Sequence, residues 1–357
     1  MCASFEGNAI VYSEGAFDTP NGKTTHGLIR RSNRYKILSV VDSRYAGQDA
    51  GEILDGQARN IPIFSDIQTA FDAAKNSHNS ANFMVIGLAP DGGRLCQQAR
   101  DDVKKAIRLG LNIDSGLHDF LSEDAEISAL AEQFHVNIRD VRKAPPRNEL
   151  HFFNGKIEQV DSLKIAVLGT DSAVGKRTTA WLIVDALIQA GCSAEMIGTG
   201  QTAWLQGAKY SIILDSIIND FVSGEIEHAI WSVWNDLHPD VILIEGQGSL
   251  MNPAYPGGFE IMAAARPDVV VLQHAPARKD YDGFPDYPIH PLEQQIQAIQ
   301  LIAEKPVIAI TINHENILPQ DVPTVCDKIR EKTGLPTIDV LLDEAGEILT
   351  ILKTYLK

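Results

Sequence analysis

Four cysteines occur in 357 residues, Cys2, Cys96, Cys192 and Cys326, and none belongs to a C-x-x-C pair. Such spacing offers neither a zinc site nor a disulfide framework and fits a reducing, cytoplasmic compartment. Positive charge is scarce: 31 Lys and Arg stand against 47 Asp and Glu, a net charge of −16. A general nucleic-acid binder needs basic surface to displace counterions, and an anionic membrane surface demands the same, so both partners are excluded. A small anionic ligand is not excluded, because a local basic pocket fits inside an acidic protein. No apolar run approaches the roughly 18 residues that span a bilayer. The N-terminal stretch MCASFEGNAIVYSEG has no basic region followed by an apolar run and does not read as a signal peptide. The first half also lacks a G-x-G-x-x-G string, the turn that normally receives a dinucleotide pyrophosphate.

What is present is the composition of a soluble α/β protein, 44% hydrophobic and 22% charged, with length enough for two cores. Short apolar runs alternate with longer amphipathic ones, the pattern of βαβ units and parallel sheets. Strands are expected in the first half at Asn8–Tyr12, Lys36–Asp42, Phe83–Leu88, Asn112–Asp114 and Val136–Arg139, with helices at Gln97–Leu109 and Ala125–Phe134. The run KAPPRN at Lys143–Asn148 continues neither helix nor central strand. The boundary is therefore set at 150/151, between a Rossmann-like domain and a second α/β domain. In the second, strands are expected at Leu163–Leu168, Ala194–Gly198, Ser211–Asp215, Val241–Glu245, Val269–His274 and Val307–Asn313. Helices are expected at Lys176–Ala190, Gly224–Trp234 and Pro291–Glu304.

The most informative segment is LKIAVLGTDSAVGKRTTAWLIVDAL. A strand enters a glycine-bounded loop, and a helix begins near Lys176. In that order, backbone N–H groups of the loop and first helical turn converge on anionic oxygens, and the lysine adds a mobile positive charge. Gly169, Thr170, Asp171, Ser172, Ala173, Val174, Gly175, Lys176, Arg177, Thr178 and Thr179 form the expected phosphate site of a P-loop NTPase-like domain. Two features depart from G-x-x-x-x-G-K-[ST]. Five residues separate Gly169 from Gly175, so Thr170 takes the usual first-glycine place, and Arg177 stands where the Mg²⁺-binding hydroxyl belongs. Either Thr178 replaces the missing ligand or the loop grips phosphate without an essential metal. The similar string NGKTT at Asn21–Thr25 has the wrong spacing back to Gly15 and reads as a turn entering His26–Arg31.

Other candidates sit at strand ends, where open α/β sheets place their ligands. Glu245 ends an apolar strand before Gly246 and Gly248. His274 ends another and is placed for proton transfer, with Arg278 and Lys279 following as partners for a carboxylate. Asp215 is expected to face the same crevice and, with His118 of the first domain, to contact substrate; Asp220 follows the same strand and caps a helix equally well. In the first domain Asp114, His118 and Asp119 flank a glycine after a strand, either lining an interdomain cleft or capping a helix. His290, before Pro291, reads as a loop residue. The helix bearing Trp231 and Trp234 is core or an interface of a homo-oligomer.

GTDSAVGK at Gly169–Lys176 and EGQG at Glu245–Gly248 resemble dethiobiotin synthetase, an ATP-dependent carboxylating enzyme. A longer likeness joins NIDSGLHDFL (Asn112–Leu121), GTDSAVGKRTT (Gly169–Thr179), GTGQT (Gly198–Thr202) and LIEGQG (Leu243–Gly248). Over most of the chain the sequence resembles the family, once known only as a domain of unknown function, associated with D-glutamate N-acetyltransferase; Arg177 fits this family better than the synthetase. The resemblance implies acetyl transfer from acetyl-CoA to the amine of a D-amino acid, chiefly D-glutamate. Under that reading the loop grips the coenzyme phosphates, Glu245 or His274 takes a proton from the amine, Arg278 and Lys279 meet the carboxylates, and no metal is required. Two other functions follow from the same loop: an ATP- and Mg²⁺-dependent ligase or kinase acting on a small carboxylate, and a nucleotide-binding regulatory protein without catalysis.

Overall fold

The computed structural model describes residues 5–343 and 345–356. Two compact units emerge, one of residues up to Ala144 together with Gln201–Ala208, the other of Pro145–Gly200 and the chain from Lys209 onward.

The first unit holds strands β1 (Gly7–Tyr12), β2 (Tyr35–Val41), β3 (Ile63–Phe64), β4 (Phe83–Ile86), β5 (Asn112–Ser115) and β6 (Ile138–Asp140). All pair in parallel, in the order β3-β2-β1-β4-β5-β6, which is the Rossmann order. Its helices follow their sequence signals. In Gln97–Arg108 the apolar positions Ala99, Val103, Ala106 and Ile107 recur on one face and are buried. Asp66 and Asp124 cap their helices by accepting from Thr69 N and Ile127 N. The segment Gln201–Ala208 joins this unit because Leu205 is buried in its core and Gln206 Nε2 donates to the carbonyls of Gly27 and Arg31.

The second unit holds β7 (Leu163–Gly169), β8 (Ala194–Gly198), β9 (Tyr210–Ser211), β10 (Val241–Glu245), β11 (Val269–His274), β12 (Val307–Ile312) and β13 (Thr337–Ile338). These too are all parallel, in the order β13-β12-β11-β7-β10-β8-β9. Strands β7, β10, β11 and β12 are almost wholly buried apolar runs, as a sheet covered on both faces requires.

The α/β class with two parallel sheets agrees with the sequence. One local expectation does not hold, and the bounds of two others move. Ser211–Asp215 is not a strand: pairing stops at Ser211, and Leu214–Ser216 forms a short 3-10 turn. The helix expected at Gly224–Trp234 runs from Asn219 to Leu237. NGKTT is divided between a turn at Pro20–Gly22 and a helix that already begins at Lys23. Among the described residues no helix is long and apolar enough to cross a membrane.

Candidate phosphate-binding site

Strand β7 lies between β10 and β11, so the loop after Gly169 opens beside the ends of both neighbours. Thr170 N donates to the Gln273 carbonyl (2.9 Å) and Gly246 N to the Val167 carbonyl (3.0 Å), which fixes the three strand ends at one level. The helix Lys176–Gln189 begins at Gly175, whose φ of +107° favours glycine, and Ala173 also takes positive φ (+53°). The turn leaves the first N–H groups of the helix pointing out of its N-terminus, with the positive end of its dipole.

Lys176 folds back under this loop. Its Nζ donates to the carbonyls of Asp171 (2.7 Å) and Gly248 (2.8 Å), leaving one ammonium hydrogen for a ligand. Burial depresses its pKa to about 8, so the ammonium form prevails at neutral pH. Two glycines make room for the lysine stem. A Cβ on Gly169 would stand 2.8 Å from Lys176 Cδ; one on Gly246 would stand 3.1 Å from that atom and 2.3 Å from the Val167 carbonyl oxygen.

Asp171 is fully buried and is the hub of the loop. It accepts from Ser172 N, Asn252 Nδ2, Asp282 N and Arg278 Nη1, at 2.7 to 2.8 Å. Arg278 also donates to the Ser172 carbonyl (2.7 Å) and grips Glu315 through Nε and Nη2 (2.8 and 2.9 Å). Its fork is thus occupied by two carboxylates of the protein. Arg278 is a clamp on the phosphate loop rather than an open partner for a substrate carboxylate. Lys279, next to it, is exposed.

The hydroxyls after Lys176 divide. Thr179 is buried and donates to Gln273 Oε1, which also accepts from Thr311 Oγ1. Thr178 sits half-buried on the first helical turn. The metal-hydroxyl position is therefore held by Arg177, and Thr179 is committed to the core.

Glu245 is 5% exposed; Thr199 N donates to its carboxylate (2.9 Å), and burial raises its pKa. Its charge is offset in part by Arg177 and Lys176. His274 Nδ1 shares a hydrogen bond of 2.9 Å with Thr170 Oγ1. Burial, with Lys332 and Arg278 nearby, pushes its pKa down to about 4, so it is neutral and a weak proton acceptor.

Loop, Lys176, Glu245, His274 and Arg278 thus gather at one edge of one sheet. Asp215 does not: it is exposed, beyond β9, three strand spacings or roughly 14 Å across the sheet from β7. His118 belongs to the first unit, exposed over Gly93, and its backbone N donates to the Gly93 carbonyl (3.2 Å). Asp114, four residues before it, is fully buried and accepts from Arg139 Nε and Nη2 (both 2.6 Å) and from the Tyr35 hydroxyl, which makes it part of the core.

The sequence did not point to four residues at this edge: Asn252, Gln273, His314 and Asp339. His314 Nδ1 lies 2.5 Å from Oδ2 of the fully buried Asp339. The rule that singled out His274, a polar residue just past an apolar strand, applies equally to His314 after β12.

Comparison with known proteins agrees with this architecture. A family profile described as "Domain of unknown function (DUF1611_C) P-loop domain" matches residues 151–349, and its Rossmann-like N-terminal companion matches 43–144. The chain is 31% identical over 279 residues to a D-glutamate N-acetyltransferase of Tritonibacter scottomollicae, covering 76% of this chain and 81% of that protein. It is 28% identical over 276 residues to a D-glutamate N-acetyltransferase of a Pseudoalteromonas species, covering 75% and 80%. A crystal structure of a DUF1611 family protein from Anabaena variabilis superposes with a TM-score of 0.89 at 27% identity, over 98% of this chain and 100% of that one.

Proposed function

Since the chain belongs to the DUF1611 family, whose relatives above include two D-glutamate N-acetyltransferases, we propose that it transfers the acetyl group of acetyl-CoA to the amine of D-glutamate. The observation that carries this reading is the composition of the first helical turn. Arg177 replaces the metal hydroxyl while the backbone cradle and Lys176 are retained, and Thr179 is turned into the core by Gln273. Such a loop suits phosphates that are held and left intact, as those of coenzyme A are, better than a γ-phosphate about to be transferred.

The residues fit the coenzyme. The N–H groups of the loop and first turn meet its diphosphate, Lys176 supplies one free ammonium donor, and Arg177 adds positive charge at the same turn. The cradle is stiff because Asp171 and Arg278 lock it from behind, so little ordering is left to be done on binding. The D-glutamate amine is protonated at neutral pH and must lose a proton before it attacks the thioester carbonyl.

The test is thiol release from acetyl-CoA, measured with EDTA present and ATP absent. Release that depends on D-glutamate supports the proposal. No release with any amino acid, together with ADP formation from Mg²⁺-ATP and a carboxylate, moves the function to the ligase reading.

A further inference from the structure

An acetyl-CoA-dependent acylation separates the phosphate grip from the chemistry. The thioester lies at the end of the pantetheine arm, on the order of 15 Å from the diphosphate when extended, taking the reach of an extended chain of similar bonds. Glu245 and His274 adjoin the phosphate loop itself. Glu245 is sealed beneath Thr199, and His274 is a weakly basic imidazole held by Thr170.

One histidine at this edge has a different setting. Asn313 N donates to the His274 carbonyl (2.7 Å), which fixes the start of the turn after β12, and His314 follows. Strand β12 is two positions from β7, roughly 10 Å across the sheet, so His314 lies at the loop's own edge but away from the phosphates. Its Nδ1 faces Asp339, whose other oxygen accepts from Leu341 N (2.9 Å) and whose N–H donates to Asp343 (3.1 Å). A carboxylate accepts only, so Nδ1 carries the hydrogen, and in the neutral imidazole the lone pair is on Nε2. Among the described residues Nε2 has no hydrogen-bond partner, and the side chain is 28% exposed. Among the described residues, the charged and titratable groups around the pair are Asp343 after β13, Glu315, which shares the single charge of Arg278 with Asp171, and Cys326, Asp327 and Arg330 on the helix Val322–Thr333.

We propose that His314 is the general base of the acetyl transfer, oriented by Asp339; this rests on the function proposed above. The substrate ammonium first loses one proton to solvent. The neutral amine nitrogen then attacks the thioester carbonyl carbon while His314 Nε2 takes the second proton. The N–C bond forms, the C–S bond breaks, and the imidazolium returns that proton to the departing sulfur. The products are the amide, coenzyme A thiol and one released proton. His314 touches substrate, whereas Asp339 is a positioning residue that sets the tautomer and supports the imidazolium.

The test compares full-length wild type with His314→Gln and Asp339→Asn. It measures melting temperature, acetyl-CoA affinity by calorimetry, and thiol release across about pH 5–9, where a histidine titrates. The expected result for His314→Gln is wild-type melting and acetyl-CoA affinity with kcat lower by about 10²–10⁴-fold. For Asp339→Asn it is a smaller loss with a displaced acidic limb in the pH profile. Turnover of His314→Gln within about threefold of wild type, with wild-type release intact, overturns the base assignment and leaves acetyl transfer standing. Absence of thiol release from wild type overturns both. A second measurement needs no variant: acylation by diethyl pyrocarbonate, mapped by mass spectrometry. Loss of turnover in step with modification of His314, slowed by bound substrates, supports the assignment; full modification with turnover retained refutes it.

Discussion

Arg278 Nη1 donates to Asp171 Oδ2 across 2.8 Å, joining the segment after β11 to the phosphate loop after β7. Because Asp171 is fully buried, this bond does not merely decorate the loop. Arg278→Ala leaves the carboxylate with its remaining donors and removes its charge partner, a change expected to cost about 3 kcal/mol. Denaturant unfolding reads that loss directly. Arg278→Lys restores only part of it, because an ammonium cannot bridge Asp171 and Glu315 with a planar fork.

Gly246 is required for a steric reason. Its substitution by alanine sets a Cβ 2.3 Å from a backbone oxygen and 3.1 Å from the Lys176 stem. The strand end must move or the lysine must leave its place, and both disturb the phosphate cradle. Gly246→Ala is expected to weaken coenzyme binding by at least about tenfold, equal to about 1.4 kcal/mol, in a calorimetric titration.

The two threonines after Arg177 are expected to fail differently. Thr179→Val removes a donor to the buried Gln273 amide oxygen and costs about 1–2 kcal/mol of stability, while phosphate affinity stays close to wild type. Thr178→Ala leaves stability nearly unchanged and weakens phosphate binding. Melting and binding measured on both variants separate the roles; equal effects on binding would contradict the division.

The depressed pKa of Lys176 gives a pH dependence with a definite sign. A bound phosphate favours the ammonium form, so binding draws in a proton once the free lysine, at about 8, begins to lose it. Affinity is therefore full below about pH 8 and falls above it, by up to about tenfold per unit. Stability moves the other way. Between about 8 and 10.5 the unfolded chain holds the proton that the folded lysine has lost, so this group's contribution rises with pH. The difference between wild type and Lys176→Met, in both affinity and melting temperature, isolates the effect.

Local features of this fold were legible in the chain. The strand Leu163–Gly169, the turn and the helix from Lys176 are contiguous, and their signals of apolar run, glycine and lysine need no partner to be read. Strand-end placement likewise located Glu245 and His274. What escaped depends on distant residues. Arg278 looked like a substrate cation because nothing nearby reveals that Asp171 and Glu315 fill its fork. Strands β3, β9 and β13 have two residues each, too few for any periodicity. That Gln201–Ala208 joins the first unit is decided by the burial of Leu205 in that unit's core, not by its own pattern.

That this P-loop holds coenzyme A without a metal is the proposal on which the function rests. Its most direct test is calorimetric binding of acetyl-CoA in EDTA, for wild type and Lys176→Ala. Saturable one-site binding by wild type is expected, with a loss of at least about tenfold in the variant, the scale of a charge-assisted hydrogen bond. Wild-type binding that needs Mg²⁺, or equal affinity in the two proteins, would contradict it.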